Sequence, residues 1–598
     1  MNPVDYKNLI NSLAYRQASR RVLRQLLEAL LFEGAVSHSV WNGETLSLPG
    51  LRVDRVPVQY QCQARHTFSF GRVRVMTPLL RIDGGVTQEA SDPALFLAEI
   101  APWLAAERNR VGEFAAELLA TQIKHAQTLS AREGVPLRDA DYDTVEARLT
   151  DGHLYHPAYK SRIGFTLNDN AMYAPEIACF VAPLLLAVRK DCCRWGASSK
   201  LTGKEKQAPG LGSFLLGEAG WTYFCDELAK LALQSENYMP LPVHPWQWDR
   251  VLVSGYHQAM ARGEILVIGA LTDRYLPQQS IRTLSNLSDR NRLSLKLAMN
   301  LVNTSTSRVL APHTVQNAQL ISDWLHELVE RTDWQLPLAR PVMLGEVAGV
   351  SFMPLAPAHG QYGALSCIWR ESVHSHLRPG ESAVPMTAVT HIDIDGKPFI
   401  DPWVQRYGPE EWLTRLVERV YLPVLHLLWE HGTALESHAQ NMVLLVEEGL
   451  PVRVALKDFH DGVRFCKSLL SRPAPALIAP PPQHAQVNPN SFLETESADE
   501  LRDFTFDALF FVNLAELAWL FQSHYAIAEK RFWQVTREVL QAHQKRNPQS
   551  AARYALFDCL ADEVGIELLA ARRFQPEIRL RTRLTPNPLA QPGEAPCI

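Results

Sequence analysis

The sequence predicts an α/β chain of several subdomains, with helical and strand-rich stretches partly segregated in α+β fashion. Its 598 residues exceed what one hydrophobic core organises. Apolar residues recur at helical spacing in some stretches and alternate with polar ones in others, so both periodicities are present. With 46% hydrophobic and 21% charged residues, the composition is that of an ordinary globular protein.

The opening segment, MNPVDYKNLINSLAYRQASRRVLRQLLEALLFEG, spaces apolar residues helically and interrupts them with Arg and Glu, unlike the apolar core of a signal peptide. Strand-like alternation follows in LRVDRVPVQYQC and HTFSFGRVRVMTPLLRI, then a helical stretch over about 92–127. SSKLTGKEKQAPGLG reads as a mobile loop, and no GxxxxGK[ST] phosphate loop occurs in the chain. From about 241 to 405 the pattern is mixed, helical over 318–334 and strand-like around Ser280 and Lys296. An amphipathic helix over 411–430, bent at Pro423, leads through Gly432 into a hairpin. The proline-rich SRPAPALIAPPPQHAQVNPNS reads as a surface loop or lid edge, and helices fill about 498–571. This punctuation divides the chain at about 1–165, 166–405 and 406–598.

The hairpin, ESHAQNMVLLVEEGLPVRVALKD, concentrates polar chemistry at its open end. A turn centred on Gly449 and Leu450 sets Asn441 opposite Asp458, with Glu436 and His438 just outside. Carboxylate and amide oxygens suit Mg2+, which nucleotide enzymes hold with one or two carboxylates plus substrate phosphates. An ordinary surface hairpin with polar ends has the same pattern.

QQSIRTLSNLSDRNRLSLKLAMNLVNTSTSR contains two alternating strands. With the turn near Arg290, Lys296 falls across from Leu284 and shares a face with Arg282 and Ser280, while Thr304, Ser305 and Arg308 follow at the strand's end. Hydroxyls alternate with the cations where neutralising carboxylates would otherwise sit, which favours a polyanion site, triphosphate or polycarboxylate, over a solvated basic face. GHLYHPAYKSRIGF groups His153, His156, Lys160 and Arg162, and PLPVHPWQWDR sets His244 beside two tryptophans. Neither spacing suits zinc; the first suits anions or a polar turn, the second a core turn or a functional histidine.

A formal net charge of −5 gives no reason to expect nucleic acid or an anionic membrane as partner, and no run is long and uncharged enough to span a bilayer. Nine scattered cysteines without CxxC point to reduced thiols and a cytoplasmic protein.

In this order, GHLYHPAYKSRIGF, LPVHPWQWD, QQSIRTLSN, SLKLAMNLVNTSTSR, LGEVAG, ALESHAQN and LKDFHDGVR resemble the NRPS-independent siderophore synthetases of the IucA/IucC family. The resemblance implies an ATP- and Mg2+-dependent ligase that adenylates citrate, a citrate derivative or 2-oxoglutarate. The acyl group then passes to an amine or alcohol, and a homodimer is expected. It also implies a thumb, fingers and palm arrangement over the three parts above, with a distantly kinase-like palm. By the same resemblance, Ser280, Arg282, Thr283 and Lys296 hold ATP phosphates, and Thr304, Ser305 and Arg308 lie where phosphate meets the carboxylate substrate. His438 and Asn441 match the central histidine and amide, Glu436 and Asp458 the acidic nucleotide and Mg2+ positions, and His156 and Lys160 the substrate pocket. His438, Arg308 and Lys296 are the expected catalytic groups, and Arg579, Arg581 and Arg583 stand where a substrate-contacting lysine is sought. A kinase-like phosphotransferase and a non-catalytic carboxylate or siderophore binder are the competing readings.

Overall fold

The computed structural model describes residues 3–132, 134–178, 180–201, 210–304, 306–354, 358, 360–482, 484–488, 492–575 and 582–590. Ser305, Arg579, Arg581, Cys179, Cys597 and the core of the Gly/Lys-rich loop lie outside them.

In the N-terminal part, the strands Val40–Asn42, Thr45–Leu51, Pro57–His66, Leu80–Asp83 and Val86–Glu89 pair antiparallel in that order, with Val73–Val75 also on Pro57–His66. Thr45–Leu51 buries alternate residues, as its period-two pattern dictates. The helix Leu13–Phe32 starts at Ser12, whose side chain accepts from the Tyr15 N–H. Its Val22, Leu23, Leu26, Leu27 and Leu30, one stripe along the helix, join the core of this sheet. The stretch predicted as one helix over 92–127 is two, Pro93–Ile100 and Arg108–Ser130.

The central part holds a three-stranded sheet, Ile265–Ala270, Leu184–Arg189 and Tyr238–Val243, beside a six-stranded one. The latter runs Tyr275–Pro277, Thr283–Asn286, Ser294–Leu297, Ser366–Arg370, Glu346–Phe352, Cys193–Ala197. The helix Pro312–Arg331 packs on Glu346–Phe352 at Gly349, where a Cβ would stand 2.6 Å from Val315 Cγ1. Lys296 pairs with Thr283, not Leu284 as predicted, because the connection centres between Asp289 and Arg290 and the register moves by one residue.

The hairpin forms as Met442–Glu447 and Leu450–Leu456, closed by Glu448 (φ 50°) and Gly449 (φ 86°), a two-residue turn that needs positive φ at both positions. A bulge between Leu445 and Val446 adds to this, so Asn441 lies opposite Lys457, whose N–H donates to the Asn441 carbonyl at 3.0 Å. The predicted pairing of Asn441 with Asp458 is therefore one residue out. Val342–Met343 and Glu381–Pro385 complete the hairpin's sheet, which thus takes strands from both sides of residue 405. The preceding helix is irregular as predicted, but through a π-helical segment, Val417–Tyr421, between Pro409–Leu416 and Leu422–His431. Gly432 ends it in the left-handed conformation.

The C-terminal helices carry the largest core, including Trp412, Trp429, Trp533 and Phe521. The helical run Ala498–His524 is long and apolar enough by composition to cross a membrane, contrary to expectation, but 78% of its most apolar window is buried inside the fold. Sequence periodicity also missed the strand Glu563–Glu567, which pairs with Thr582–Pro586.

Candidate active site

The hairpin's open end, the end of the basic strand and the HLYH segment meet around one cavity of ≈ 290 Å3. Its lining takes Ser280, Arg282, Lys296, Thr304 and Arg308 from the central strands, and Glu436, His438, Asn441 and Asp458 from the hairpin region. His153 and His156 line it too.

Asp458 lies among the cations. Its Oδ1 is 2.9 Å from Lys296 Nζ and accepts a hydrogen bond from Arg370, whose other nitrogen donates to Gln278 Oε1 at 2.8 Å. Burial alone would raise the Asp458 carboxyl, but Lys296 and Arg370 hold it well below the usual carboxylate range; burial pulls Lys296 down. Arg282 donates to the carbonyls of Arg308 (3.0 Å) and Val309 (2.9 Å), which fixes its guanidinium against the strand Thr306–Arg308. Arg308 donates to the Asn303 carbonyl at 2.9 Å, while its Nε is buried without a partner. Burial, then the charge of Arg282, lowers Arg308 to about 10. Arg282, Lys296 and Arg308 thus cluster along one side of the cavity, an arrangement that suits a polyanion.

The backbone is strained where these groups converge. Ile281 (φ 70°), Thr304 (φ 63°) and Asp458 (φ 68°) all adopt the left-handed region, unfavourable above all for the β-branched pair. Ser280 and Arg282, on either side of the turn at Ile281, both line the cavity, in keeping with their spacing of two. Thr283, already on the strand, is fully buried, with its hydroxyl unpartnered and outside the lining.

Asn441 donates to the Glu436 carbonyl at 2.9 Å. Gly462 lies between the two acidic positions: a Cβ there would strike the Asp458 carbonyl and lie 3.5 Å from Glu436 Cβ. His438 caps the short turn Ala439–Asn441 and, with His153, Thr304 and Gln440, also lines an adjoining cavity of ≈ 70 Å3. That chamber is walled further by Asp151, Gln279, Asn303, Thr387 and Thr390.

Lys160 is not brought into either cavity. Its ammonium is buried 2.5 Å from Glu176, which Arg162 also grips at 2.7 Å, and burial lowers it to about 8. His244 is a core residue that accepts from the Trp246 N–H at 3.1 Å. Arg583 donates to the Phe32 carbonyl and stacks on its ring, away from the cavity.

Several residues that line the cavity, or bond to those that do, escaped the sequence reading. His460 Nδ1 is 2.5 Å from the buried Glu346 carboxylate; both sit inside quoted motifs, LKDFHDGVR and LGEVAG. Arg370 carried no local signal. Asp507 and Glu567 line the cavity near Arg464 and Arg572, and a lone carboxylate inside the apolar FTFDALFF was a readable sign. Among the described residues, no group of three or more His, Cys, Asp or Glu could hold a metal ion.

The fold and cavity place the chain in a class of multi-sheet α/β proteins with solved members. It superposes on the petrobactin biosynthesis protein AsbB of Bacillus anthracis with a TM-score of 0.89 at 33% identity, covering 98% of each chain. The aerobactin synthetase IucC of a hypervirulent Klebsiella pneumoniae pathotype gives 0.77 at 26% identity, covering 96% of this chain and 98% of that one. The IucA/IucC family model matches residues 141–391, and a model described as a ferric iron reductase FhuF-like transporter matches 410–587. A Staphylococcus aureus 2-[(L-alanin-3-ylcarbamoyl)methyl]-3-(2-aminoethylcarbamoyl)-2-hydroxypropanoate synthase is 34% identical over 98% of this chain and 95% of its own length. A Bacillus anthracis citryl-spermidine/3,4-dihydroxybenzoyl-citryl-spermidine:spermidine ligase is 34% identical over 97% of this chain and 94% of its own. The chain therefore belongs to the IucA/IucC family of NRPS-independent siderophore synthetases and is an ATP-dependent ligase of siderophore biosynthesis.

Proposed function

We propose that this ligase activates a carboxyl group of citrate, a citryl derivative or 2-oxoglutarate as an acyl adenylate and transfers the acyl group to an amine or alcohol. One observation carries the reading: Arg282, Lys296 and Arg308 cluster with His438 on one cavity, where Asp458 is paired to Lys296. A carboxylate oxygen attacks the α-phosphorus, the bond to the pyrophosphate oxygen breaks, and pyrophosphate leaves. An amine then attacks the acyl carbon, the C–N bond forms, AMP departs and the nitrogen loses its proton. Two anions must be brought together in the first step, so preorganised cations supply most of its stabilisation. Arg282 and Lys296 hold the phosphates, Arg308 holds the acid, and His438, at the junction of the two chambers, contacts the reacting carboxylate.

The residues fit Mg2+ as a nucleotide-borne ion. Asp458 and Glu436, on either side of Gly462, offer two carboxylates, and a triphosphate supplies the remaining oxygens. When bound, the ion neutralises phosphate charge. The hairpin that ends at Asn441 and Asp458 supports likening this part to a kinase-like palm.

With Mg-ATP and each acid, the protein is expected to release pyrophosphate and AMP, and hydroxylamine to trap the activated acid as a hydroxamate. ADP without pyrophosphate, across the acid panel, sinks the ligase chemistry in favour of a phosphotransferase; acid binding without turnover favours a binding protein.

A further inference from the structure

Glu33 is a buried acid outside the cavity lining, and it stands where a carboxylate is least favoured. It caps the C-terminus of the helix Leu13–Phe32 at 6% exposure, and the carbonyl end of a helix repels negative charge. Three donors answer it. The Tyr155 hydroxyl donates to Oε1 at 2.7 Å, the Ala570 N–H reaches both oxygens at 2.9 and 3.0 Å, and the Ala571 N–H donates to Oε2 at 2.6 Å.

Those donors belong to two separate walls of the cavity. On one, Tyr155 stands between His153 and His156, which both line it. His153 Nδ1 accepts the N–H groups of Tyr155 (3.1 Å) and His156 (2.9 Å), which ties this turn into one piece. His153 also faces the adjoining chamber together with His438. On the other wall, Leu569 and Arg572 line the cavity on either side of Ala570 and Ala571. One carboxylate therefore bridges both walls from behind.

Burial raises the Glu33 carboxyl to about 7 against its three hydrogen bonds, and Glu567 pushes the same way as burial. Around it, Tyr155 carries Arg72 over its ring at 5.2 Å and feels Asp507, Arg572 pairs with Glu567, and Arg583 donates to the Phe32 carbonyl. A proton added to either oxygen of Glu33 meets a donor, so one of the three bonds must open or turn.

We propose that Glu33 is a positioning residue of the ligase. As an anion it holds the turn over 153–156 and the segment 569–572 at the spacing that catalysis needs, and on taking a proton it lets them part. A carboxyl raised above its ordinary 4.5 costs stability when ionised; that cost is full above pH 7 and fades as pH falls toward 4.5. The charge thus supports activity at the same pH at which it weakens the fold, which sets it apart from a merely structural contact.

The test compares full-length wild type with Glu33→Gln at pH 6 and pH 8, by kcat/KM for acid-dependent pyrophosphate release, by melting temperature and by hydrogen–deuterium exchange. At pH 8 the variant should fall about tenfold or more below wild type, and at pH 6 the two should converge to within about threefold. The melting temperature of the variant, relative to wild type, should be higher at pH 8 than at pH 6. In the wild type alone, protection factors over 153–156 and 569–572 should drop by about tenfold between pH 8 and pH 6, a measurement that stands even if Glu33→Gln does not fold. Equal kcat/KM at pH 8, a kinetic gap that is the same at both pH values, or wild-type protection factors that do not change overturns the proposal. The kinetic readout rests on the adenylation reading and the exchange readout does not. If the wild type releases no pyrophosphate at either pH, that reading fails and the protection factors alone decide.

Discussion

Replacing Arg308 by lysine keeps a positive charge at the same place and removes only the planar fork of donors. In the structure one terminal nitrogen already serves the Asn303 carbonyl at 2.9 Å, and the buried Nε lacks a partner, so the fork is braced on one side and open on another. A lysine ammonium makes one directed bond to a substrate carboxylate where the guanidinium makes two. Losing one charge-assisted bond in a dry site costs about 1.5–3 kcal/mol, and about 1.4 kcal/mol is a factor of ten in rate. Burial already lowers Arg308 to about 10, and an ammonium resists desolvation less well, which adds to the loss. Arg308→Lys should therefore reduce kcat/KM for the acid by about a hundredfold. The assay is acid-dependent pyrophosphate release at saturating Mg-ATP, with the melting temperature as a check of folding. A folded variant within about threefold of wild type would refute the assignment of Arg308 to the acid.

Three further outcomes are expected. Asp458→Asn strips the counter-charge from Lys296 and Arg370, and should lower kcat/KM for ATP by about a hundredfold at every Mg2+ concentration; recovery at high Mg2+ would show that affinity for the ion alone was lost. Gly462→Ala forces the Asp458 carbonyl aside next to Glu436, and should lose most activity at a stability cost of about 1–3 kcal/mol; wild-type turnover would show that this loop yields freely. Glu516, held down to about 2 by Arg72 and Arg74 against the opposing effect of burial, contributes stability that is complete above 4.5, its ordinary value, and is lost as pH falls toward 2. That contribution is at most about 3 kcal/mol, so Glu516→Gln should melt lower than wild type at neutral pH by a gap that closes below pH 4.5; a gap that is constant with pH would assign the loss to packing.

Short-range pattern made much of the site readable. The hairpin follows from apolar alternation around Gly449, and the cationic strand from Arg282 and Lys296 set among hydroxyls. Register was lost in both because it depends on turn length and on a bulge between Leu445 and Val446, which period two does not encode. Lys160 was expected at the pocket from the family resemblance of its segment; its partner Glu176 gave no local sign of the pairing that keeps it out. Arg370, which bonds to Asp458, and Glu567, which lines the cavity, come to the site only through tertiary packing, and the expected helical run to 571 hid the strand that carries Glu567.

The two ends of the chain clasp each other. Arg72 and Arg74 grip Glu516, Ser69 binds Glu529, and the Glu33 carboxylate accepts the N–H groups of Ala570 and Ala571. On the ribosome, Arg72 of the N-terminal part thus waits for almost the whole polypeptide before it finds its counter-charge, Glu516. The cavity, walled by residues from His153 to Arg572, closes last. A fragment cut at either boundary of the 141–391 family match leaves ionised groups stranded, so complementation by co-expressed halves is a more promising route to a divided enzyme than isolation of one domain.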